Sequence, residues 1–284
     1  MGGRRAGLLL GAGVAATLVA ADPLPPAQAV AAASRWNGAW PAAAPPGSVP
    51  SHRAVDGPLL GNGDVGLVAG VKDGVLTFYV SKSDFWHLQP MSTPGHGRVT
   101  PEGNTQPRAL GGVSFSLPNG SSTGLASANS TSPAFALRQD IGRGVVGWNM
   151  SLGGAPVLSG WATVSQDDGV SRIVFSLSVP AAAAASAHRT TLSVRTWGAQ
   201  GGVTEGTAAG GTAWISRRIG GCSNATAAIA TSVIGGGASS NLVRVQRGAP
   251  TVLVSAVVSS LDLGHRTGQC SWLWRDPVPV AVAR

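Results

Sequence analysis

Two apolar segments joined by a short polar turn constrain the fold of this 284-residue chain more than any other feature. The first segment covers residues 65–71 and the second covers residues 75–80, with Lys72-Asp73-Gly74 between them. An Asp-Gly turn between β-branched, apolar runs is the strongest short-range signal for a β-hairpin. The chain is therefore expected to build an antiparallel sheet around this hairpin.

Alternating apolar and polar residues extend the β pattern along the rest of the chain. In the stretches 113–117, 146–152 and 173–179, every second residue is apolar. This period is typical of strands that bury one face and expose the other, and no long stretch has the spacing of an amphipathic helix. The 41 Gly and 19 Pro residues lie mostly between these runs. We predict an all-β fold: an antiparallel sandwich with long Gly- and Pro-rich loops.

The composition divides the chain into four parts. The start resembles a secretory signal, because Arg4 and Arg5 precede an apolar stretch with small residues at two cleavage sites, after Ala21 and after Ala29. That stretch is shorter than the roughly 20 residues of a membrane span, although an uncleaved anchor is an alternative. We predict a secreted protein without a membrane span after cleavage. The predicted parts are a signal peptide (1–29), a Pro- and Ala-rich linker (30–50), a β-sandwich domain (51–270) and a C-terminal tail (271–284).

Charge and motifs argue against several function classes, although composition alone leaves a Ser-His-Asp triad open. The net charge is +8, but the arginines are spread singly and form neither a basic stripe nor a nucleic-acid-binding module. The five histidines lie far apart and lack the spacing of a zinc site. One Gly-x-Ser-x-Gly match occurs at residues 120–124, but no run with helical spacing follows it, as a nucleophile elbow requires. We therefore predict no nucleic-acid partner, no metal and no cofactor.

If the protein is secreted, its cysteines and its glycosylation acceptor sequences become informative. Cys222 and Cys270 are the only cysteines, and in an oxidising compartment we expect them to form a disulfide; two buried thiols are the alternative. Four sequences match the acceptor pattern for N-linked glycosylation. Their asparagines are Asn119, Asn129, Asn149 and Asn224.

Polar and aromatic residues gather at both ends of the predicted hairpin. Asn62 and Asp64 precede its first strand, and Lys82, Asp84, Trp86 and His87 follow its second strand. Because the entry and the exit of a hairpin lie side by side, these residues should share one end of the sheet. Residues on loops at a sheet end often bind ligands. We predict one polar cluster there, and we assign carbohydrate contact to all of its residues except Lys82.

Each of these residues also has a structural interpretation. The ring of Trp86 could stack on a sugar, or it could pack under the edge of the sandwich. Asp64 and Asp84 could form the pair of carboxyl groups that glycoside hydrolysis requires. Aspartates beside glycines, however, commonly cap turns through their own side chains. The sequence favours that role, so the catalytic residues stay unassigned.

The hairpin also carries a family resemblance. The loop Gly61-Asn62-Gly63-Asp64 and the strand running from Leu76 to Trp86 resemble the N-terminal domain of fucosidase-like glycoside hydrolases, the family 95 type and its relatives. Weaker agreement comes from residues 213–218 and the apolar runs 227–234 and 252–260, so the resemblance spans roughly residues 36–263. It implies a β-supersandwich, and it implies that catalysis belongs to a following (α/α)6 barrel, which these residues do not include.

These observations lead to three hypotheses about function. The first is the N-terminal β-sandwich domain of a secreted, α-L-fucosidase-like glycoside hydrolase, associated with carbohydrate and not catalytic alone. The second is a self-sufficient extracellular carbohydrate-binding module, and the third is a structural glycoprotein. Whether the chain is an enzyme stays open at this point. The expected partners are carbohydrate and the C-terminal barrel domain that the resemblance implies.

Overall fold

The computed structural model describes residues 26–47, 56–87, 106–118, 132–181, 183, 189–199, 201–219, 225–234, 238–239, 242–260 and 262. Within these residues the chain forms an α-helix, α1 (Pro26–Ala33), and 3₁₀ helices at Ser34–Trp36 and Ala209–Gly211. The strands are β1 (Ala39–Trp40), β2 (Leu59–Gly61), β3 (Val65–Lys72), β4 (Val75–His87), β5 (Gln106–Ser116), β6 (Ala134–Asp140), β7 (Val145–Leu152), β8 (Ala155–Asp167), β9 (Val170–Ser178), β10 (Arg189–Gly198), β11 (Val203–Thr207), β12 (Ala213–Arg218), β13 (Thr226–Ile234), β14 (Ala238–Ser239), β15 (Leu242–Gln246) and β16 (Thr251–Ser259).

The strands form two sheets whose apolar faces meet. The large sheet has the strand order β1-β6-β7-β8-β9-β16-β13-β12-β11, and the small sheet has the order β14-β15-β10-β5-β4-β3-β2. Neighbouring strands in both sheets run antiparallel. The all-β sandwich predicted from the alternating residues is therefore confirmed.

The hairpin predicted from the sequence is formed by β3 and β4. Its register runs from the pair Lys72 and Val75 to the pair Val65 and Lys82. The two turn residues, Asp73 and Gly74, have positive φ angles of 50° and 72°. Tight hairpin turns require such angles, and aspartate and glycine adopt them at low cost. The turn therefore sets the register that brings the beginning of β3 beside the later part of β4.

Four aromatic rings fill the centre of the space between the sheets. Phe78 and Phe115 come from the small sheet, and Trp148 and Phe175 come from the large sheet. Their ring centroids lie 5.1–6.5 Å apart, mostly in tilted or edge-to-face arrangements. Such pairs stabilise a core by about 0.5–1.5 kcal/mol each beyond the burial of their area. The inward positions of the alternating strands thus produce one continuous aromatic core.

Three tryptophans pack over a glycine that lies directly opposite on the neighbouring strand. The pairs are Trp148 with Gly160, Trp197 with Gly112, and Trp214 with Gly206. A Cβ atom at these glycines would lie only 2.4, 2.9 and 2.7 Å, respectively, from the ring. The rings therefore require glycine for its missing side chain, not for its backbone freedom.

Part of the segment predicted as a linker belongs to the large sheet. Ala39 and Trp40 pair with Arg138 and Leu137 of β6, and the indole Nε1 of Trp40 donates a hydrogen bond to Asp56 at 3.2 Å. A proline- and alanine-rich composition gave no signal for this strand. Residues 1–25 of the predicted signal and the whole predicted tail lie outside the described residues. In the described part of the chain, no helix has the length and apolar character needed to cross a membrane.

Candidate functional site

A charged cluster lies between the sheets at the end where β3 begins. The inward-facing side chains of β4 are Leu76, Phe78, Val80 and then Lys82, whose side chain is fully buried. The inward face of β4 is thus apolar up to Val80, and its next residue, Lys82, is charged. Because a buried ammonium is costly without partners, its surroundings must supply opposite charge.

Three carboxylates surround the ammonium group of Lys82. Its Nζ atom lies 2.5 Å from Asp64 Oδ1, 3.2 Å from Asp262 Oδ1 and 3.6 Å from Asp84 Oδ2. Each of the three aspartate side chains is about a quarter exposed. The group has more negative than positive charge, and its carboxylates reach the protein surface while the ammonium does not. We call Lys82 and these aspartates the Lys82 cluster.

Two buried serines connect the Lys82 cluster to the large sheet. Ser171, near the start of β9, donates a hydrogen bond from Oγ to Asp64 Oδ2 at 2.6 Å. Ser259, at the end of β16, donates from Oγ to Asp84 Oδ2 at 2.6 Å and from its backbone N–H to Asp262 Oδ2 at 2.7 Å. Both serines are fully buried. These bonds fix Asp64 and Asp84 against the large sheet and hold Asp262 beside the end of β16, so the cluster has one defined geometry.

Asn62 holds the loop that leads into β3. Its Oδ1 accepts hydrogen bonds from the backbone N–H groups of Asp64 at 3.0 Å and Val65 at 2.8 Å. Its Nδ2 donates to Ser171 Oγ at 3.0 Å. This is the local side-chain-to-backbone bonding that asparagine offers at turns. Asn62 therefore positions Asp64 through contacts within the protein.

The pKa values in the Lys82 cluster diverge in ways that follow from its geometry. Burial alone would raise the pKa of Asp64, but hydrogen bonds from Lys82 and Ser171 and the charge of Lys82 outweigh it and lower the pKa. Burial raises the pKa of Asp262, and the neighbouring charge of Asp84 adds to this effect. Burial would lower the pKa of Lys82, yet the bond to Asp64 and the surrounding carboxylates raise it. Lys82 thus stays charged at neutral pH.

An irregularity in the pairing of β4 with β5 changes the direction of the side chains at the site. Ser81 pairs with Ala109 and Trp86 pairs with Pro107, so residues 82–85 of β4 stand opposite Arg108 alone. Extra residues of this kind bend a strand and redirect its side chains. Phe85 is consequently buried, and the guanidinium carbon of Arg217 lies 5.9 Å from the centre of its ring. The residues 81–86 contain no glycine or proline that would have indicated the irregularity.

The structure brings together three of the five residues predicted to form the site. Asn62 contacts Asp64 directly, and Lys82 links Asp64 to Asp84. Trp86 and His87 belong to β4, where their backbones pair with Pro107 and Gln106. Their side chains lie outside the described part of the structure. The contact of these five residues with carbohydrate stays a prediction.

Sequence reasoning placed Lys82 among the polar residues at the hairpin end without assigning it to the site, and it missed Ser171, Ser259 and Asp262. Lys82 lies two residues after Val80 and four after Phe78 on β4. The alternation of the strand therefore indicated that its side chain points inward with theirs. Ser171, Ser259 and Asp262 offered no such signal, because their role depends on how the two sheets pack together. Among the described residues, no group of three or more His, Cys, Asp or Glu residues could hold a metal ion.

The predicted modification sites fall mostly outside the described residues. This applies to Cys222 and Cys270 and to the sequon asparagines Asn119, Asn129 and Asn224. The remaining sequon residue, Asn149, is exposed on β7. The disulfide and the other three glycosylation sites stay predictions.

Fold and site define a two-sheet β-sandwich that carries a fixed cluster of carboxylates at one end. No protein-family model matches the chain, and no curated protein matches it. The resemblance to fucosidase-like glycoside hydrolases therefore stays a prediction from the residues of the hairpin. The geometry of the Lys82 cluster is the feature of the described residues that bears on function.

Proposed function

We propose that this chain is a secreted carbohydrate-binding β-sandwich domain of the kind found at the N-terminus of fucosidase-like glycoside hydrolases. In this proposal it is not catalytic alone, and it contacts sugar through the end of the sandwich that holds the Lys82 cluster. The observation that carries the proposal is the fixed group of three partly exposed carboxylates, Asp64, Asp262 and Asp84, of which Asp84 also has an unpaired oxygen. The Oδ2 of Asp84 is bound by Ser259 and Lys82, while its buried Oδ1 has no hydrogen-bond partner among the described residues.

An unpaired carboxylate oxygen calls for a hydrogen-bond donor. Leaving a buried acceptor unsatisfied costs about 1–3 kcal/mol, and more for a charged group. This oxygen has no accessible surface, so a ligand hydroxyl would meet the exposed parts of the carboxylates first and would reach Asp84 Oδ1 only after a local rearrangement. Carbohydrates present several hydroxyl donors close together, which suits a group of three partly exposed carboxylates. The carboxylates are already held by Lys82, Ser171 and Ser259, so binding would require little further ordering.

The position of Lys82 supports binding over hydrolysis. A glycosidase places one proton donor and one carboxylate on opposite sides of the scissile bond, and the bond occupies the space between them. Here the Lys82 ammonium occupies that space, at most 3.6 Å from each of the three carboxylates. The lowered pKa of Asp64 also suits a permanently charged acceptor more than a proton donor.

A structural role is the second candidate, because the Lys82 cluster also joins the two sheets. Ser171 and Ser259 bond to carboxylates of the small sheet across the interior. This observation favours the structural glycoprotein hypothesis. The two candidates differ in what a change at Asp84 does: a binding role predicts lost affinity, and a structural role predicts lost stability alone.

The test is a titration of the unglycosylated chain with α-L-fucosyl oligosaccharides and their fucose-free counterparts. Asp84→Asn keeps the shape of the side chain but removes its charge. Asp73→Asn is the matched control, since Asp73 is exposed in the turn at the opposite end of the hairpin. We expect Asp84→Asn to weaken binding by about tenfold or more, as the loss of one charged hydrogen bond implies. Equal affinities in the two variants, or no binding by the unmodified sequence, would reject the proposal.

A further inference from the structure

Trp161 differs from the other tryptophans that face a glycine. It lies on β8 directly opposite Gly147 of β7, the arrangement in which Trp148, Trp197 and Trp214 cover their glycines. At Gly147, however, the nearest atom to a Cβ among the described residues would be the carbonyl oxygen of Gly160, at 3.8 Å, so the ring of Trp161 does not cover this glycine. The side chain is 41% exposed. Trp161 therefore presents an open ring on the outer face of the large sheet.

The surroundings of Trp161 form a shallow surface of small side chains. Its direct cross-strand partners are Gly147 on one side and Ser176, which is itself buried, on the other. In the next row of the same face, Ser159 pairs with Ser178, and their hydroxyls lie 2.9 Å apart. Residues of this size leave the face of an indole ring accessible. The surface suits a flat ligand that combines an apolar face with hydroxyl groups.

A glycosylation sequon lies one diagonal step from this ring. Asn149 of β7 pairs with Ser159, and Gly147 pairs with Trp161, so Asn149 and Trp161 are diagonal neighbours across the two strands. Diagonal neighbours lie roughly 7–8 Å apart, within reach of long side chains. Met150 is fully buried, which places Asn149 on the outer face, where it is exposed. With Ser151 it completes the acceptor pattern.

We propose that Asn149 carries an N-linked glycan and that the first N-acetylglucosamine of this glycan stacks on the ring of Trp161. The inference rests on the secretion included in the proposed function, since the sugar donor is a lipid-linked oligosaccharide diphosphate of the secretory route. Asn149 Nδ2 forms a bond to C1 of the first sugar while the C1–O bond to the diphosphate breaks. The amide loses one proton, the diphosphate leaves with the electron pair, and nothing is oxidised or reduced.

The physical basis of the stacking is the charge distribution of the ring. The face of an indole is negative, and the C–H groups on one face of a pyranose carry the complementary positive charge. Attachment to Asn149 holds the sugar near the ring at an effective concentration in the millimolar range or above, which a free sugar rarely reaches. The chain's own glycan is therefore favoured over a free sugar at this surface.

The experiment uses the full chain secreted by a eukaryotic host. Mass spectrometry measures the occupancy of all four sequons, and melting temperatures are compared for the parent, Ser151→Ala, Trp161→Ala and the double variant. Ser151→Ala removes the glycan and leaves Asn149 in place. We expect its melting temperature to fall by about 2 °C when Trp161 is present and to stay unchanged when position 161 is alanine. Trp36→Ala is the control, since Trp36 is 78% exposed and lies on a different element.

Proton NMR of the glycosylated chain gives a second measurement that does not depend on stability. Ring-current shifts of the first N-acetylglucosamine should disappear in Trp161→Ala and persist in Trp36→Ala. Occupancy of other sequons without Asn149 would overturn this inference and leave the proposed sugar binding at the Lys82 cluster untouched. The inference would also be overturned if Asn149 is glycosylated but the sugar shows no ring-current shift and Ser151→Ala changes the melting temperature equally with and without Trp161. Addition of free N-acetylglucosamine to the unglycosylated chain shows whether the same ring binds an unattached sugar, and equal shifts there would reject the preference for the attached glycan.

Discussion

The space between the two sheets has an apolar centre and a charged end, and β4 supplies residues to both. Phe78 packs among Phe115, Trp148 and Phe175 in the centre, whereas Lys82, on the same face of the strand, meets three carboxylates. Burial of apolar area stabilises a fold by about 25 cal/mol per Å². For buried ion pairs, the attraction roughly balances the lost hydration. The centre therefore explains the stability of the sandwich, while the charged end calls for a functional explanation.

The largest expected effect comes from removing a ring in the apolar centre. Phe175 is fully buried against the other three aromatic side chains, so Phe175→Ala should lower the free energy of unfolding by about 3–5 kcal/mol. Urea titration measures this difference. Trp36→Ala, at a highly exposed position, should change it by less than about 0.5 kcal/mol. Similar losses in both variants would mean that the centre does not carry the stability.

The next effect concerns the charged end. Lys82→Met leaves three carboxylates without their cation, and because each is partly exposed we expect a loss of about 2–3 kcal/mol, below the range for fully buried pairs. The chain's other lysine provides the control, since Lys72→Met changes an exposed residue beside the hairpin turn. Chemical denaturation at neutral pH compares the two. A loss for Lys82→Met no larger than that for Lys72→Met would show that the ammonium is not needed there.

A smaller effect tests how tightly the aromatic centre is packed. A Cβ at Gly160 would lie 2.4 Å from the ring of Trp148, so Gly160→Ala should cost about 1–3 kcal/mol. Gly147 is the matched control in the neighbouring strand, because a Cβ added there would lie 3.8 Å from its nearest neighbour among the described residues, an ordinary contact distance. Gly147→Ala should be neutral or slightly stabilising, since alanine restricts the unfolded chain more than glycine does. Thermal unfolding of the two variants distinguishes these expectations, and equal destabilisation would contradict them.

The smallest effect is the pH dependence of the charged end. The pKa of Asp64 is lowered on folding, so its contribution to stability is present above the ordinary value of 3.8 and is lost as the pH falls below it. The pKa of Asp262 is raised, so stability should increase as the pH falls from above its folded pKa towards 3.8. Unfolding free energies between pH 3 and 7 should show both trends. Asp262→Asn should mainly reduce the increase and Asp64→Asn mainly the acid loss, since both carboxylates share Lys82. A pH dependence that neither variant changes would contradict these directions.

The sequence predicted the local features well and the long-range ones poorly. The turn at Asp73 and Gly74 and the alternating strands depend on nearby residues, so the hairpin and the all-β class followed from the pattern. The proximity of Asp64 and Asp84 followed from the hairpin register. Ser171 and Ser259 reach the site only because β9 and β16 pack across from β4, and no local pattern encodes that packing. The irregularity at residues 82–85 was likewise invisible in the sequence.

The central claim is that the charged end of the sandwich binds carbohydrate, and mapping of backbone amide shifts during a titration with α-L-fucosyl oligosaccharides tests it most directly. The account predicts that the largest shifts fall at residues 62–64 and 82–87, and that Asp84→Asn reduces them while Asp73→Asn does not. Shifts confined to the outer face around Trp161, or no shifts with any oligosaccharide, would contradict the claim.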